Sequence, residues 1–337
     1  MACSPRELVF QTLAFEGPAR APRQLWYLPW AESHYPEALR DILEAYPSDI
    51  VTAPGFLPVL PRTEGDPYVP GVYVDEWGCQ FTNVQAGVIG EVKAPLIREW
   101  DKDLGKVHFP CEWLDVDAAK VNAFCRDTNR FVMAGCCPRP FEQTQFLRGT
   151  VELYMDLLAP PPGMEAFLAE MHGFYCALLE VWAATEVDAL MFMDDWGSQW
   201  NLLIDPALWR AVFKPMYRDY VDIAHGAGKK IFMHSDGHIA SIYPDLVELG
   251  VDAVNSQLFC MGIEALAPFA GKITFWGEMD RQRLLTNGSV GEIDQAVREV
   301  HGALWRRGGC IAQCEFGPGA RPENVRRVFE AWEAVLG

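Results

Sequence analysis

The chain has 337 residues, 50% of them hydrophobic and 22% charged, so it can bury a large core, and its length fits one α/β barrel as readily as two ordinary domains. A formal net charge of −18 argues against a nucleic-acid binder, which needs clustered Lys and Arg facing phosphates. Ten scattered cysteines, a start unlike a signal peptide, and no apolar run near the roughly 20 residues of a membrane helix point to a cytoplasmic protein with reduced thiols and no membrane partner.

The opening stretch MACSPRELVFQTL has the apolar spacing of an amphipathic helix. Next, QLWYLPWAESHY gathers Trp26, Tyr27, Trp30 and Tyr35, an aromatic cluster that either walls an apolar pocket or seals a barrel end. Asp49–Thr52 and Arg130–Gly135 read as strands, with Gly71–Cys79 and Val88–Val92 between them as an antiparallel hairpin. Pro160 to Pro162 punctuates a helix start. From residue 187 the pattern becomes regular. Strands Val187–Met193, Lys230–His234, Val251–Asn255, Lys272–Gly277 and Gly309–Cys314 alternate with helices Pro206–Gly226, Ile239–Leu249, Ile263–Ala270, Val290–Arg307 and Pro322–Leu336. That order implies parallel strands with right-handed crossovers, at the rhythm of a barrel. An open doubly wound sheet is the alternative, but no glycine-rich phosphate turn follows an early strand. The expected fold is a (β/α)8 TIM barrel spanning 1–337 as one domain, with an amino-terminal extension and a β-hairpin insertion.

Residues two apart in a strand share a face. In KKIFMHSDG these are Phe232, His234 and Asp236; in ITFWGEMD, Trp276 and Glu278; in GGCIAQCEFG, Cys310, Ala312 and Cys314. VDALMFMDDWG closes on Asp194 and Asp195. Four strands thus end in acid–base or metal-competent residues, and barrel strand ends converge on one mouth. His234, Glu278 and Cys314 are the expected zinc ligands, with Asp236 as a fourth ligand or a partner behind them. Taken singly, each also has an ordinary structural reading: a hydrogen-bonded strand-end His, a packed Cys. Arg139 and Arg148 flank Gly135-Cys136-Cys137 and either grip a substrate carboxylate or make surface ion pairs. His238 reads as a helix cap.

The stretch from MDDWGSQWNLLIDPALW through KKIFMHSDGHIASIYPDLVELGVDAVN resembles the uroporphyrinogen decarboxylase superfamily, as do FGPGARPENVRRVFEAW and, more loosely, GCCPRPFEQTQFLRG. The resemblance covers most of residues 130–337 and implies a (β/α)8 barrel. True decarboxylases of the superfamily carry an arginine-rich segment near the start, whereas QLWYLPWAESHY has none. The chain looks closer to the superfamily's corrinoid-dependent methyltransferases, with their H-x-C and distant Cys that bind zinc. His234 and Cys314 match the ends of that motif, and Asp236 replaces its middle cysteine, which makes the metal harder.

The resemblance implies a zinc-dependent methyltransferase that moves a methyl group between a small methylated substrate or acceptor and a separate corrinoid (methylcobalamin) carrier protein. No corrinoid-binding D-x-H-x-x-G segment is present, so the carrier is expected to be a partner chain. His234, Glu278 and Cys314 would hold zinc, Asp194, Asp195 and Asp236 would be catalytic, and Trp26, Trp30, Arg139 and Trp196 would bind substrate. The alternatives are a lyase acting on a small carboxylic acid, and a catalytically silent barrel that binds a ligand.

Overall fold

The computed structural model describes residues 3–336. Eight parallel strands form a nearly closed barrel: β1 Arg23–Tyr27, β2 Ile50–Thr52, β3 Phe131–Met133, β4 Ala189–Met193, β5 Lys230–Ser235, β6 Ala253–Ser256, β7 Thr274–Trp276 and β8 Cys310–Phe316. From β2 to β8 each strand pairs with its sequence neighbour, and β1 pairs with β8 over five residues. β1 meets β2 through the Asp49 amide, which donates to the Arg23 carbonyl at 2.9 Å. The Asp49 carboxylate accepts in return from the Arg23 amide at 2.8 Å and is gripped by Arg20. Long helices such as Met164–Ala183, Lys214–Gly226, Val290–Leu304 and Pro322–Leu336 form the outer layer. None among the described residues is long and apolar enough to cross a membrane.

Two cores follow from the strands' alternation. Ile50, Phe131, Met133, Ala189, Phe232, Ala253, Trp276 and Ile311 point into the barrel. Leu25, Val132, Leu190, Ile231, Val254, Phe275 and Cys314 point outward against the helices. The expected amino-terminal helix is Pro5–Leu13, opened by a Ser4/Glu7 capping box. Its Val9 and Leu13 join the interior cluster, and Phe10 packs edge-on against Phe131, so this helix plugs the barrel's amino-terminal end. The opposite end is the mouth.

The insertion between β2 and β3 departs from a simple hairpin: it has three antiparallel strands, Gly71–Val74, Gln80–Asn83 and Glu91–Val92. The expected strand Gly71–Cys79 breaks at Asp75, whose carboxylate accepts from the amides of Trp77 and Cys79 and turns the chain. The expected helix Pro206–Gly226 likewise divides at Phe213, ahead of Pro215, into Pro206–Val212 and Lys214–Gly226.

Candidate metal and active site at the barrel mouth

β5 carries His234 to the mouth, where it is buried. Its register partner on β6 is Asn255, and the His234 Nδ1 and Asn255 Oδ1 atoms lie 2.6 Å apart. Asn255 Nδ2 donates to the Trp276 carbonyl, so the amide oxygen must face the imidazole. Nδ1 is then the donor, and the lone pair of neutral His234 sits on Nε2. Nε2 faces Asp195 Oδ1 at 3.6 Å and Asp236 Oδ1 at 3.9 Å. Asp195 Oδ1 is held in turn by the backbone amide of Asp236 at 2.9 Å.

Arg281, on the loop after β7, ties the other acids together. It holds Asp236 by the outer oxygen Oδ2, and its Nη1 lies 3.3 Å from both Glu278 Oε1 and Glu315 Oε1. Glu278 is 3% exposed, and the Arg281 approach falls outside hydrogen-bond geometry, leaving both of its oxygens without a partner. Burial pushes its carboxyl up to about 8, against the opposing pull of Arg281, and the nearby acids push it further the same way. Burial also raises Glu315.

The donor set fits a divalent cation. Asp195, His234 and Asp236 bring one ligand atom each within 4.8 Å of one another. Asp236 Oδ1 is buried and has no hydrogen-bond partner, and an unpaired carboxylate oxygen in such a place is costly unless something positive binds it.

The sequence-expected zinc ligands do not all meet. Cys314 is a packed thiol: fully buried, opposite Leu25 of β1, on the face of β8 turned to the helices. Burial raises its thiol, so it stays protonated. Its neighbour Glu315, opposite Trp26, is the residue of β8 that faces the mouth. Glu278 reaches the mouth but joins it through Arg281. Asp236 and Asp195 lie in the cluster itself. Asp194 does not: it is fully buried, accepting from the Glu142 amide at 2.7 Å and the Tyr217 hydroxyl at 2.6 Å.

Of the expected substrate contacts, Trp26 sits beside His234 with ring centres 5.4 Å apart. Trp196 is fully buried, stacked on Phe141 and bonded to Tyr217, and has no surface to offer a substrate. Trp30 stacks on His34 and supports the insertion at Gly87, where a Cβ would lie 2.6 Å from the Trp30 backbone. Arg139 lines a cavity of about 640 Å³ under the insertion, together with Tyr73, Trp77, Phe81, Trp113, Tyr175 and Trp182. Arg148, by contrast, pairs with Asp156 beneath the loop at Ile97.

This cavity is not lined by Asp195, His234 or Asp236, but Glu142 joins it to them. It forms part of the cavity wall, pairs with Arg139 at 3.3 Å, and its carboxyl feels the charges of Asp195, His234 and Asp236. Glu142 therefore stands between the cavity and the cluster.

Asp75 on the cavity wall gives one expected outcome. Burial pushes its carboxyl up to about 6, and the two backbone amides only partly offset this. A carboxyl raised above its unfolded value of about 4 contributes fully below that pH, and its contribution is lost as pH rises through the folded value. Asp75→Asn, which keeps an oxygen for the amides, is expected to be more stable than the parent at pH 8, by on the order of 2 kcal/mol. The gap should close by about pH 4 in denaturant titrations.

The family model for uroporphyrinogen decarboxylase (URO-D) matches residues 98–335, well over half of the chain. The chain belongs to the uroporphyrinogen decarboxylase family. Among solved structures, a methyltransferase from Methanosarcina mazei is similar over 100% of both chains, with 14% identity and a TM-score of 0.67. Xylanase 10B from Thermotoga maritima (11% identity, 99% of each chain, TM-score 0.47) and an endo-β-1,4-xylanase from Gloeophyllum trabeum (12% identity, 96% and 99%, TM-score 0.45) are more distant. No curated protein matches the chain significantly.

Several site residues lay beyond the sequence reading. Arg281 follows Glu278 by three residues in a loop, where no periodicity marks it. Glu315 was hidden by parity: β8 is buried on both faces, so alternation does not tell inside from outside. Asn255 ends an expected strand, and the strand-end rule applied to it would have found it.

Proposed function

We propose that this member of the family is a metal-dependent methyltransferase, moving a methyl group between a small methylated substrate and a corrinoid on a separate carrier protein. The observation that carries the reading is the trio Asp195, His234 and Asp236 at the mouth, with the imidazole lone pair fixed toward two carboxylates, one of them unpaired. These residues, rather than His234, Glu278 and Cys314, are assigned as ligands. A cation held by one imidazole and two carboxylates, zinc first and harder divalent ions next, would act as a Lewis acid on the heteroatom that carries the methyl group.

The chain's own residues do the rest. Arg281 holds Asp236 by one oxygen and so leaves the other facing His234, where it would hold the cation. Glu278, largely protonated at neutral pH, is placed to donate a proton to a departing heteroatom. Trp26 and the aromatic cavity walls exclude water from the methyl donor, and Arg139 and Glu142 give the cavity its polar end.

The test is metal content together with methyl transfer to free cob(I)alamin from a panel of methyl ethers, methylamines and methyl thioethers. The zinc-loaded protein is expected to form methylcobalamin with at least one class, and the chelator-treated protein to form none. A protein that stays metal-free in added zinc and transfers no methyl group would overturn the reading, and metal-independent CO2 release from small carboxylic acids would establish the lyase instead. Cys314→Ala is expected to keep the mouth metal at parental stoichiometry, measured by elemental analysis, since its thiol faces the helices.

A further inference from the structure

Among the described residues, one other group of His, Cys and carboxylate side chains brings three ligand atoms within 4.8 Å of one another: His172, Cys176 and Asp219, on the outer wall. His172 and Cys176 are four apart on helix Met164–Ala183 and so share a face. Asp219 comes from the adjoining helix Lys214–Gly226. His172 Nε2 lies 2.8 Å from Asp219 Oδ2, and Cys176 Sγ lies 3.6 Å from the same nitrogen and 3.8 Å from Nδ1.

We propose that His172, Cys176 and Asp219 form a second, structural zinc site that clasps these two helices. In a tetrahedral site with Zn–S about 2.3 Å and Zn–N about 2.05 Å, sulfur and nitrogen stand about 3.5 Å apart. Cys176 Sγ is near that distance from Nε2 but also lies 3.8 Å from Nδ1, so a turn of the Cys176 side chain has to bring the sulfur round to the Nε2 edge of the ring. The oxygen needs to move outward by only about 0.5 Å to reach the corresponding separation from nitrogen, and Asp219 is 57% exposed and free to do so. With Nε2 as the ligand atom, Nδ1 is left to donate to the Tyr220 hydroxyl, 3.5 Å away, the kind of partner that orients a ligating imidazole. Solvent supplies the fourth position.

The donor set separates this site from the mouth. A thiolate favours zinc over magnesium or calcium, whereas the mouth trio contains no sulfur. Burial pushes the Cys176 thiol up to about 12, so without metal it is protonated, and zinc would displace that proton to solvent as it binds. The two helices lead into β4 and β5, which carry Asp195 and His234 to the mouth. A clasp here stiffens the βα units that present the ligands of the first site.

The test uses the full chain, stripped with a chelator and refilled with Co²⁺ or Zn²⁺. A near-ultraviolet thiolate-to-cobalt charge-transfer band is expected in the parent and in His234→Ala, and not in Cys176→Ser. Cys176→Ser should bind about one zinc equivalent fewer than the parent. Zinc should raise the Tm of the parent more than that of Cys176→Ser or of Asp219→Asn, a surface change that leaves the helices intact. A thiolate band that survives Cys176→Ser, or equal zinc uptake and equal Tm response in parent and variant, would overturn the site. His234→Ala reads the mouth and Cys176→Ser reads the wall, so failure of one assignment is distinct from failure of the other.

Discussion

His234→Ala is expected to lose the mouth metal and, with a methyl donor in hand, to lower kcat/KM by about 10³-fold or more, corresponding to the several kcal/mol that a Lewis-acidic cation supplies. The argument rests on where the lone pair points. The Asn255 oxygen fixes Nδ1 as the donor, so Nε2 is the atom offered to Asp195 and Asp236, and without it two carboxylates remain to repel each other. Asn255→Leu separates tautomer control from ligation. It leaves every ligand in place but frees the ring to rotate, and is expected to weaken metal affinity by about 10–100-fold. Elemental analysis and zinc titration check both variants. Parental zinc affinity in His234→Ala would remove the trio from the mechanism, whatever happened to activity.

The barrel was legible because its second half is written in two distinct periods. Short apolar runs at strand length alternate with apolar residues at helical spacing, and all five expected strands from Val187 onward appear as β4 to β8. β1 was less legible. RQLWY is a five-residue strand whose next residues, Leu28 and Pro29, open a helix, so its aromatics read as a cluster rather than as a strand. The insertion was half legible, because the turn at Asp75 depends on a carboxylate that caps two amides and not on a Gly or Pro signal.

At the mouth, the strand ends expected from the sequence converge, but not all of the expected side chains do. His234 and Asp236 could be placed together because β5 ends in polar residues that only one face explains. Cys314 could not, because Cys310, Ala312 and Cys314 form an unbroken small and apolar row that suits either face of a strand buried on both sides. The register against β1 decides the matter: Trp26 and Glu315 are paired at the mouth, while Leu25 and Cys314 are paired beneath the helices. Asp194 and Asp195 are adjacent in sequence and therefore point to opposite sides of the strand's extension, so only one of them can belong to the mouth. The structure gives that position to Asp195.

Asp194→Ala is accordingly expected to act on stability rather than on chemistry. Asp194 accepts from the Glu142 amide and from the Tyr217 hydroxyl, which itself accepts from the Trp196 indole at 2.7 Å, and all three side chains in this relay are fully buried. Removing the carboxyl group orphans two buried donors, each costing about 1–3 kcal/mol when left unsatisfied, so a loss on the order of 2–5 kcal/mol is expected. That is a large part of the roughly 5–15 kcal/mol that holds a typical domain together. Asp194→Asn keeps an acceptor and the shape. Burial already raises the Asp194 carboxyl well above its ordinary range, so a neutral amide is tolerated there. This variant is expected to melt close to the parent and to keep kcat/KM within about tenfold, whereas removal of a general acid or base costs about 10²–10⁴-fold. Thermal unfolding and steady-state rates measured on the same preparations separate the two roles. An Asp194→Asn protein with parental Tm and a kcat down by more than about 10²-fold would return Asp194 to the reaction. Parental rates in a folded Asp194→Asn would leave it as the post that sets the Phe141–Glu142 turn, and through Glu142 the boundary between the cavity and the Asp195–His234–Asp236 cluster.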